Sequence, residues 1–246
     1  MKIVFCLPGR EFCSGFFVSF CRALIACTQA GHDVVISNSY SSCVHFARAK
    51  VLGYAVQSGP DQQPFQGKLD YDVQIWIDSD IVFKTEDLME LIEGYTKTQN
   101  GDPSSTNPDD AKKMVIAAPY IMEDVKHYAV VRNWDVDYFA KNGTFEFITP
   151  ESIEKYRAAT LCRYMPVAYS GMGMMLIAKG VLEDPKVTYP PFWRPLEQIP
   201  TGNADVPVLV DMSSEDVALC KNIADAGYKV WLDTSLRVGH HKALTI

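Results

Sequence analysis

Two short apolar runs, residues 2–7 (KIVFCL) and 33–37 (DVVIS), flank a segment whose apolar residues return at helical spacing. That segment, residues 14–30, predicts a helix with Phe17, Phe20, Cys21, Leu24 and Thr28 on one face and Gly31 as its stop. A strand, a helix and a strand in this order require a parallel pair joined by a crossover. The chain is thereby restricted to an α/β architecture whose ligands sit at the carboxyl ends of its strands. The alternation continues with a helix over residues 43–54 and a strand over 73–77. Thr85 then caps a helix to about Tyr95, with Glu86 and Asp87 in the first turn, where the dipole favours acids.

Residues 96–113 are almost wholly polar and read as a surface loop. The second half predicts strands at 114–118, 128–132 and 144–148 and a helix near 151–160. A glycine-punctuated turn enters a buried strand over 169–179. No internal repeat interrupts this order.

A length of 246 residues and 48% hydrophobic content support one large domain, or two halves sharing a core. The formal net charge of −7 argues against a nucleic-acid partner, which would need concentrated Lys and Arg. The first apolar run is too short for a secretory signal, and no stretch of about 18 apolar residues follows. The expectation is a soluble chain without a transmembrane segment, acting in the cytoplasm, or in the host cytoplasm if viral. Seven cysteines without a C-x-x-C pair suit reduced thiols better than a disulfide framework or structural zinc.

The stretch VQIWIDSDIVF, residues 73–83, places Asp78 and Asp80 directly after a buried strand. D-x-D spacing alone proves nothing, because Asp70-Tyr71-Asp72 and Asp135-Val136-Asp137 share it. Context separates the copies: only Asp78 and Asp80 follow five mostly apolar, β-prone residues. Two carboxylates delivered into a crevice repel each other unless a cation lies between them. Hard divalent ions take oxygen ligands and leave positions open for substrate phosphates. The competing reading is a pair of turn-forming aspartates.

Ser213-Ser214-Glu215-Asp216 opens a helix whose Val217, Leu219, Cys220, Ile223 and Ala224 share an apolar arc, stopped by Gly227. Asp216 falls on the inward arc, and Glu215 points toward its edge. A catalytic role for Asp216 and a capping box with Ser213 as cap are both open, and they are compatible. A strand over residues 229–232 leads to Gly239-His240, where the imidazole is either a metal ligand or a surface residue. The aromatic run Tyr189-Pro190-Pro191-Phe192-Trp193-Arg194 reads as a sugar-stacking platform or a rigid loop, with Arg194 the residue the loop explains less well.

Five segments in order (LPGR, WIDSDIVF, YSGMGMMLI, SSEDVALCKNIADAGYKVWLD and RVGHHK) resemble the GT-A class of glycosyltransferases over nearly the whole chain. The match is closest to small single-domain members found in bacteria and large algal viruses. The resemblance implies a Rossmann-like, mostly parallel central sheet flanked by helices, with a smaller mixed sheet in the C-terminal half. It also implies one domain over 1–246, with a nucleotide-sugar half to about residue 120 and an acceptor half from about 121. Mn²⁺ or Mg²⁺ would be held by Asp80 directly, by Asp78 through water or the donor's ribose, and by His240. Mixed carboxylate and imidazole ligation favours manganese. Leu7, Pro8, Gly9 and Arg10 would line the nucleotide pocket, with Ser79 beside the donor and Arg48 at its phosphates or sugar. Gly171, Met172 and Gly173 would approach donor sugar and acceptor, and Glu215 and Asp216 would face the reacting centre. The implied partners are a UDP- or GDP-hexose and a glycan or glycoprotein acceptor.

Two other readings compete. An aspartate-nucleophile phosphohydrolase also uses D-x-D after an apolar strand, but usually after its first strand, with a later lysine and acidic pair. Here a strand, helix and strand precede the motif, and Asp109-Asp110 lies in the polar loop. A non-catalytic nucleotide-sugar binding module would bind without turnover.

Overall fold

A computed structural model describes residues 1–101, 112–202, 204–205 and 207–242. The first half contains β1 (Lys2–Pro8), α1 (Ser14–Gln29), β2 (Asp33–Ser39), α2 (Val44–Val51), β3 (Val73–Ile77), β4 (Ile81–Val82) and α3 (Thr85–Gln99). There follow β5 (Val115–Ala117), β6 (Val130–Val131), α4 (Val136–Asn142), α5 (Pro150–Thr160), β7 (Tyr164–Val167), β8 (Tyr169–Ser170) and β9 (Met174–Ala178). The chain closes with β10 (Glu197–Pro200), β11 (Val208–Asp211), α6 (Glu215–Asp225), β12 (Val230–Asp233) and β13 (Gly239–His240).

The central sheet has seven strands in the order β2-β1-β3-β9-β5-β12-β7. Strands β2, β1, β3, β5 and β12 run one way, while β9 and β7 are reversed. This is the mostly parallel α/β sheet expected. The smaller sheet structure consists of two-stranded antiparallel ladders, β10-β11, β13-β4 and β6-β8.

Side-chain alternation along the strands sorts the core into two layers. Ile3 and Phe5 of β1 and Ile75 and Ile77 of β3 face one side, where Phe16 and Phe20 of α1 and Leu88 and Leu91 of α3 cover them. Val4, Cys6 and Trp76 face the other side, with Val51 of α2 and Leu219 and Ile223 of α6. Continuing the alternation past Ile77 sends Asp78 to the α2/α6 side.

Several local expectations shift. The core face of α1 is Phe16, Ser19, Phe20, Ala23 and Cys27, whereas Phe17 is exposed. Arg22 is the sole charge in this helix, so apolar periodicity barely distinguishes its faces. Lys84, not Thr85, caps α3: its backbone N–H donates to Asp87 at 2.9 Å, and Thr85 is the first helical residue. The helix runs on to Gln99, so residues 96–99 are not loop; residues 102–111 of that predicted loop lie outside the described residues. The predicted strand at 144–148 reduces to a single bridge between Phe147 and Val131. Among the described residues, no helix is long and apolar enough to cross a membrane.

Candidate active site

Three elements converge at the carboxyl end of β3. Arg48 of α2 is only 2% exposed, and its guanidinium reaches across to Asp78. Nη1 lies 3.0 Å from Asp78 Oδ1, and Nη2 donates to Asp78 Oδ2 at 3.2 Å and to Glu215 Oε1 at 3.3 Å. The guanidinium carbon sits 6.0 Å from the centre of the Trp76 ring. One buried cation therefore ties the first aspartate of the motif to the start of α6. Burial raises the pKa of Asp78, with Asp80 and Asp216 adding to the rise, while Arg48 opposes it. Burial and the neighbouring Asp216 likewise raise Glu215, again against Arg48.

Asp80 is handled differently. His240 Nε2 lies 3.0 Å and Lys242 Nζ 3.1 Å from the same oxygen, Oδ2. The β4-β13 ladder makes this possible by pairing Ile81 with His240, and His241 N–H adds a 2.8 Å bond to the Asp80 carbonyl. His240 Nδ1 faces the Ile121 carbonyl at 3.3 Å. The carbonyl and the Asp80 carboxylate both only accept; with the ring hydrogen on Nδ1 toward the carbonyl, Nε2 is the nitrogen presented to a metal beside Asp80. The remaining D-x-D copies have structural partners. Asp70 pairs with Lys2 and with Lys179, Asp72 accepts the Lys2 backbone N–H at 2.7 Å, and Asp135 caps α4 through Tyr138 N–H at 2.8 Å.

The start of α6 corrects two expectations. Ser214, not Ser213, is the cap, with its Oγ 3.5 Å from Val217 N–H, while Ser213 donates to Glu197. Asp216 is thus the second helical residue, and no capping box with Ser213 forms. Glu215, expected at the edge of the arc, is instead the residue that reaches inward to Arg48, with 15% of its side chain exposed. Asp216 accepts from Tyr169 Oη at 2.9 Å on Oδ2, and from Val217 N–H at 2.9 Å and Ser214 Oγ on Oδ1.

Pro8, Gly9, Arg10 and Ser79 line one open cleft of about 410 Å³, together with Tyr40 and Ser41. Ser79 sits between the two aspartates, so this cleft adjoins them. Leu7 is buried beneath it, and Arg48 lies in the tie described above rather than along the cleft. Gly171, Met172 and Gly173 are buried. A Cβ on Gly171 would fall 2.0 Å from the Tyr120 hydroxyl, and one on Gly173 2.5 Å from Tyr120 Cε1. The glycines therefore make room for the Tyr120 ring. Gly171→Ala is expected to lower stability by about 1–3 kcal/mol through overpacking, read as a reduced urea midpoint; an unchanged midpoint would mean that Tyr120 moves away freely.

Sequence reasoning missed Tyr120, Tyr169 and Lys242. Tyr120 packs edge-on against His240, with ring centres 5.0 Å apart, and burial followed by Asp216 and Asp78 raises its phenol pKa. Its place just beyond β5, at the carboxyl end of a parallel strand, was the available signal. Arg194, the residue a rigid loop explained less well, clamps its loop to α6 through Asn222 at 2.8 Å and Asp225 at 2.7 Å and bonds Glu197 of β10 at 2.8 Å.

Among the described residues, no three His, Cys, Asp or Glu side chains stand together as a ready metal cage. Asp80 and His240 supply two convergent donors, carboxylate oxygen and imidazole nitrogen, a set that suits Mn²⁺ when substrate oxygens complete it. No protein-family model matches the chain, and no curated protein matches it by sequence. Among solved structures, A197 from STIV is similar over 99% of this chain and 87% of that one, with a TM-score of 0.52 and 16% identity. GalNAc-T7 with UDP, GalNAc and Mn²⁺ overlaps 99% of this chain but 43% of its own, with a TM-score of 0.47 and 13% identity. The likeness to A197 is one of fold, and the seven-stranded, mostly parallel sheet with its small accessory ladders is a GT-A-like architecture.

Proposed function

We propose that the chain is a metal-dependent glycosyltransferase. It moves a hexose, such as mannose or glucose, from a UDP- or GDP-linked donor to a hydroxyl of a glycan or glycoprotein acceptor. The observation that carries this reading is the meeting of His240 Nε2 and Lys242 Nζ on one oxygen of Asp80, beside the cleft lined by Pro8, Gly9, Arg10 and Ser79. A carboxylate oxygen that meets an imidazole nitrogen and an ammonium there would suit a divalent ion acting on a diphosphate. We assign that ion, Mn²⁺ ahead of Mg²⁺, to Asp80 and His240, with Asp78 acting through water or the ribose. Bound there, it would serve as a Lewis acid toward the departing diphosphate.

In the transfer, the acceptor oxygen bonds the anomeric carbon as that carbon's bond to the diphosphate oxygen breaks. The electron pair leaves with the nucleoside diphosphate. Asp216 takes the hydroxyl proton if the transfer inverts configuration, and orients donor and acceptor if it retains it. Arg48 holds Asp78 and Glu215 in register from below. The same tie disfavours the phosphohydrolase reading, because a carboxylate engaged at both oxygens by a guanidinium has little freedom for in-line attack.

A panel of UDP- and GDP-hexoses assayed for nucleoside diphosphate release, with and without Mn²⁺, tests this function. Release from at least one donor, abolished by EDTA, is expected; no release from any donor, or release indifferent to EDTA, contradicts it. His240→Ala should lower the metal-dependent rate by about 10–100-fold with the fold intact, and a fully active variant would remove His240 from the site.

A further inference from the structure

A second cleft, of about 220 Å³, lies beside α6 and takes no part in donor binding as described above. Phe145, Phe147, Tyr169 and Val217 line it, with Ile199 and Met212 contributed from the β10-β11 hairpin and the residue after it. The Phe147 and Tyr169 rings stand 6.3 Å apart at 71°, and Trp134 packs 4.8 Å from Phe145. Glu197, Asp211, Ser213 and Lys221 add polar groups, with Lys221 already paired to Glu197 at 3.2 Å.

Two lining residues connect this cleft to Asp216. Tyr169 Oη donates to Asp216 Oδ2 at 2.9 Å, and Ser214 Oγ bonds the other carboxylate oxygen. A ligand here would thus rest one side chain away from the carboxylate proposed to meet the acceptor hydroxyl.

We propose that this cleft is the acceptor subsite and that it takes a single neutral pyranose ring, the terminal sugar of a glycan. This inference rests on the transferase reading. The volume is below the roughly 300–1,000 Å³ typical of sites for drug-sized ligands, which limits the occupant to about one ring. Aromatic walls cover the C–H faces of a pyranose, and the polar groups match its hydroxyl edge. A lipid chain would strip water from the Asp211 carboxylate without replacing it. An anionic ligand would meet Asp211, while the nearest cation, Lys221, is already paired with Glu197. The run Tyr189-Pro190-Pro191-Phe192-Trp193 borders a different cavity, shared with His45 and Phe46 of α2.

The test uses the full chain and methyl α- and β-pyranosides of common hexoses, with tryptophan fluorescence and acceptor kinetics as readouts. At least one pyranoside should quench fluorescence saturably, and the signal should vanish in Trp134→Phe. Phe147→Leu, which keeps an apolar side chain but loses the aromatic face, should raise the acceptor KM by roughly tenfold. Donor hydrolysis to water should stay within twofold of the parent in that variant. If donor is hydrolysed but no pyranoside binds or is glycosylated, or if Phe147→Leu leaves the acceptor KM unchanged, the subsite is wrong and the transferase reading survives. If no donor is cleaved, the transferase reading fails and takes the subsite with it.

Discussion

Arg48→Met is expected to destabilise the fold by about 3 kcal/mol, because removing one partner of a buried ionic group leaves its counter-charges uncompensated. Two carboxylates, Asp78 and Glu215, would lose the same guanidinium at once. The pH dependence has a definite sign. Both carboxyl groups already have raised pKa values in the fold, so their contribution is fully present below the ordinary values of 3.8 and 4.5 and is lost as pH rises through the folded values. Arg48 opposes that rise, so its removal pushes both groups higher still. The deficit of Arg48→Met relative to the parent should therefore be larger at pH 8 than at pH 5. Urea denaturation at the two pH values measures it. Equal midpoints for variant and parent would mean that the guanidinium is not the tie between α2, β3 and α6.

Asp80→Asn should do the reverse, sparing the fold and removing turnover. Its side chain is 36% exposed, and its partners His240 and Lys242 form the kind of half-exposed pair that contributes about 0–1 kcal/mol. The variant's urea midpoint should stay near that of the parent. Loss of an anionic metal ligand, by contrast, removes part of a charge stabilisation worth several kcal/mol in the transition state. That corresponds to a fall of about a hundredfold or more in nucleoside diphosphate release. Substantial turnover in a folded Asp80→Asn would separate Asp80 from the chemistry.

The parts of this site readable from sequence are those written in short-range patterns. The mostly apolar run of β3 announces a buried strand, and Asp78 and Asp80 follow directly at its end. Interactions between distant segments are harder to read. The two-residue ladder joining Ile81 to His240 is too short to leave any periodicity. Arg48, given by the resemblance to the donor's phosphates or sugar, carries no local sign of the two acids 30 and 167 positions away that meet it. The orientation at the start of α6 was misread for a local reason. Ser213 and Ser214 are both acceptable caps, and short-range pattern does not choose between them. Glu215 turns inward to Arg48 as well, while Asp216 keeps its inward contact through Tyr169. In α1 the difficulty is an excess of signal, because a helix that is apolar nearly all round gives no preference between Phe16 and Phe17.

The most direct test of a cation held by Asp80 and His240 is Mn²⁺ binding by isothermal titration calorimetry, with UDP or GDP present. The parent is expected to bind Mn²⁺ stoichiometrically and more tightly with one of the nucleotides than without. Asp80→Asn and His240→Ala should each weaken that binding by about tenfold or more, while Asp70→Asn, in the D-x-D copy engaged by lysines, should not. A parent chain that binds no Mn²⁺ with either nucleotide, or an Asp80→Asn variant that binds it as tightly as the parent, would contradict the account.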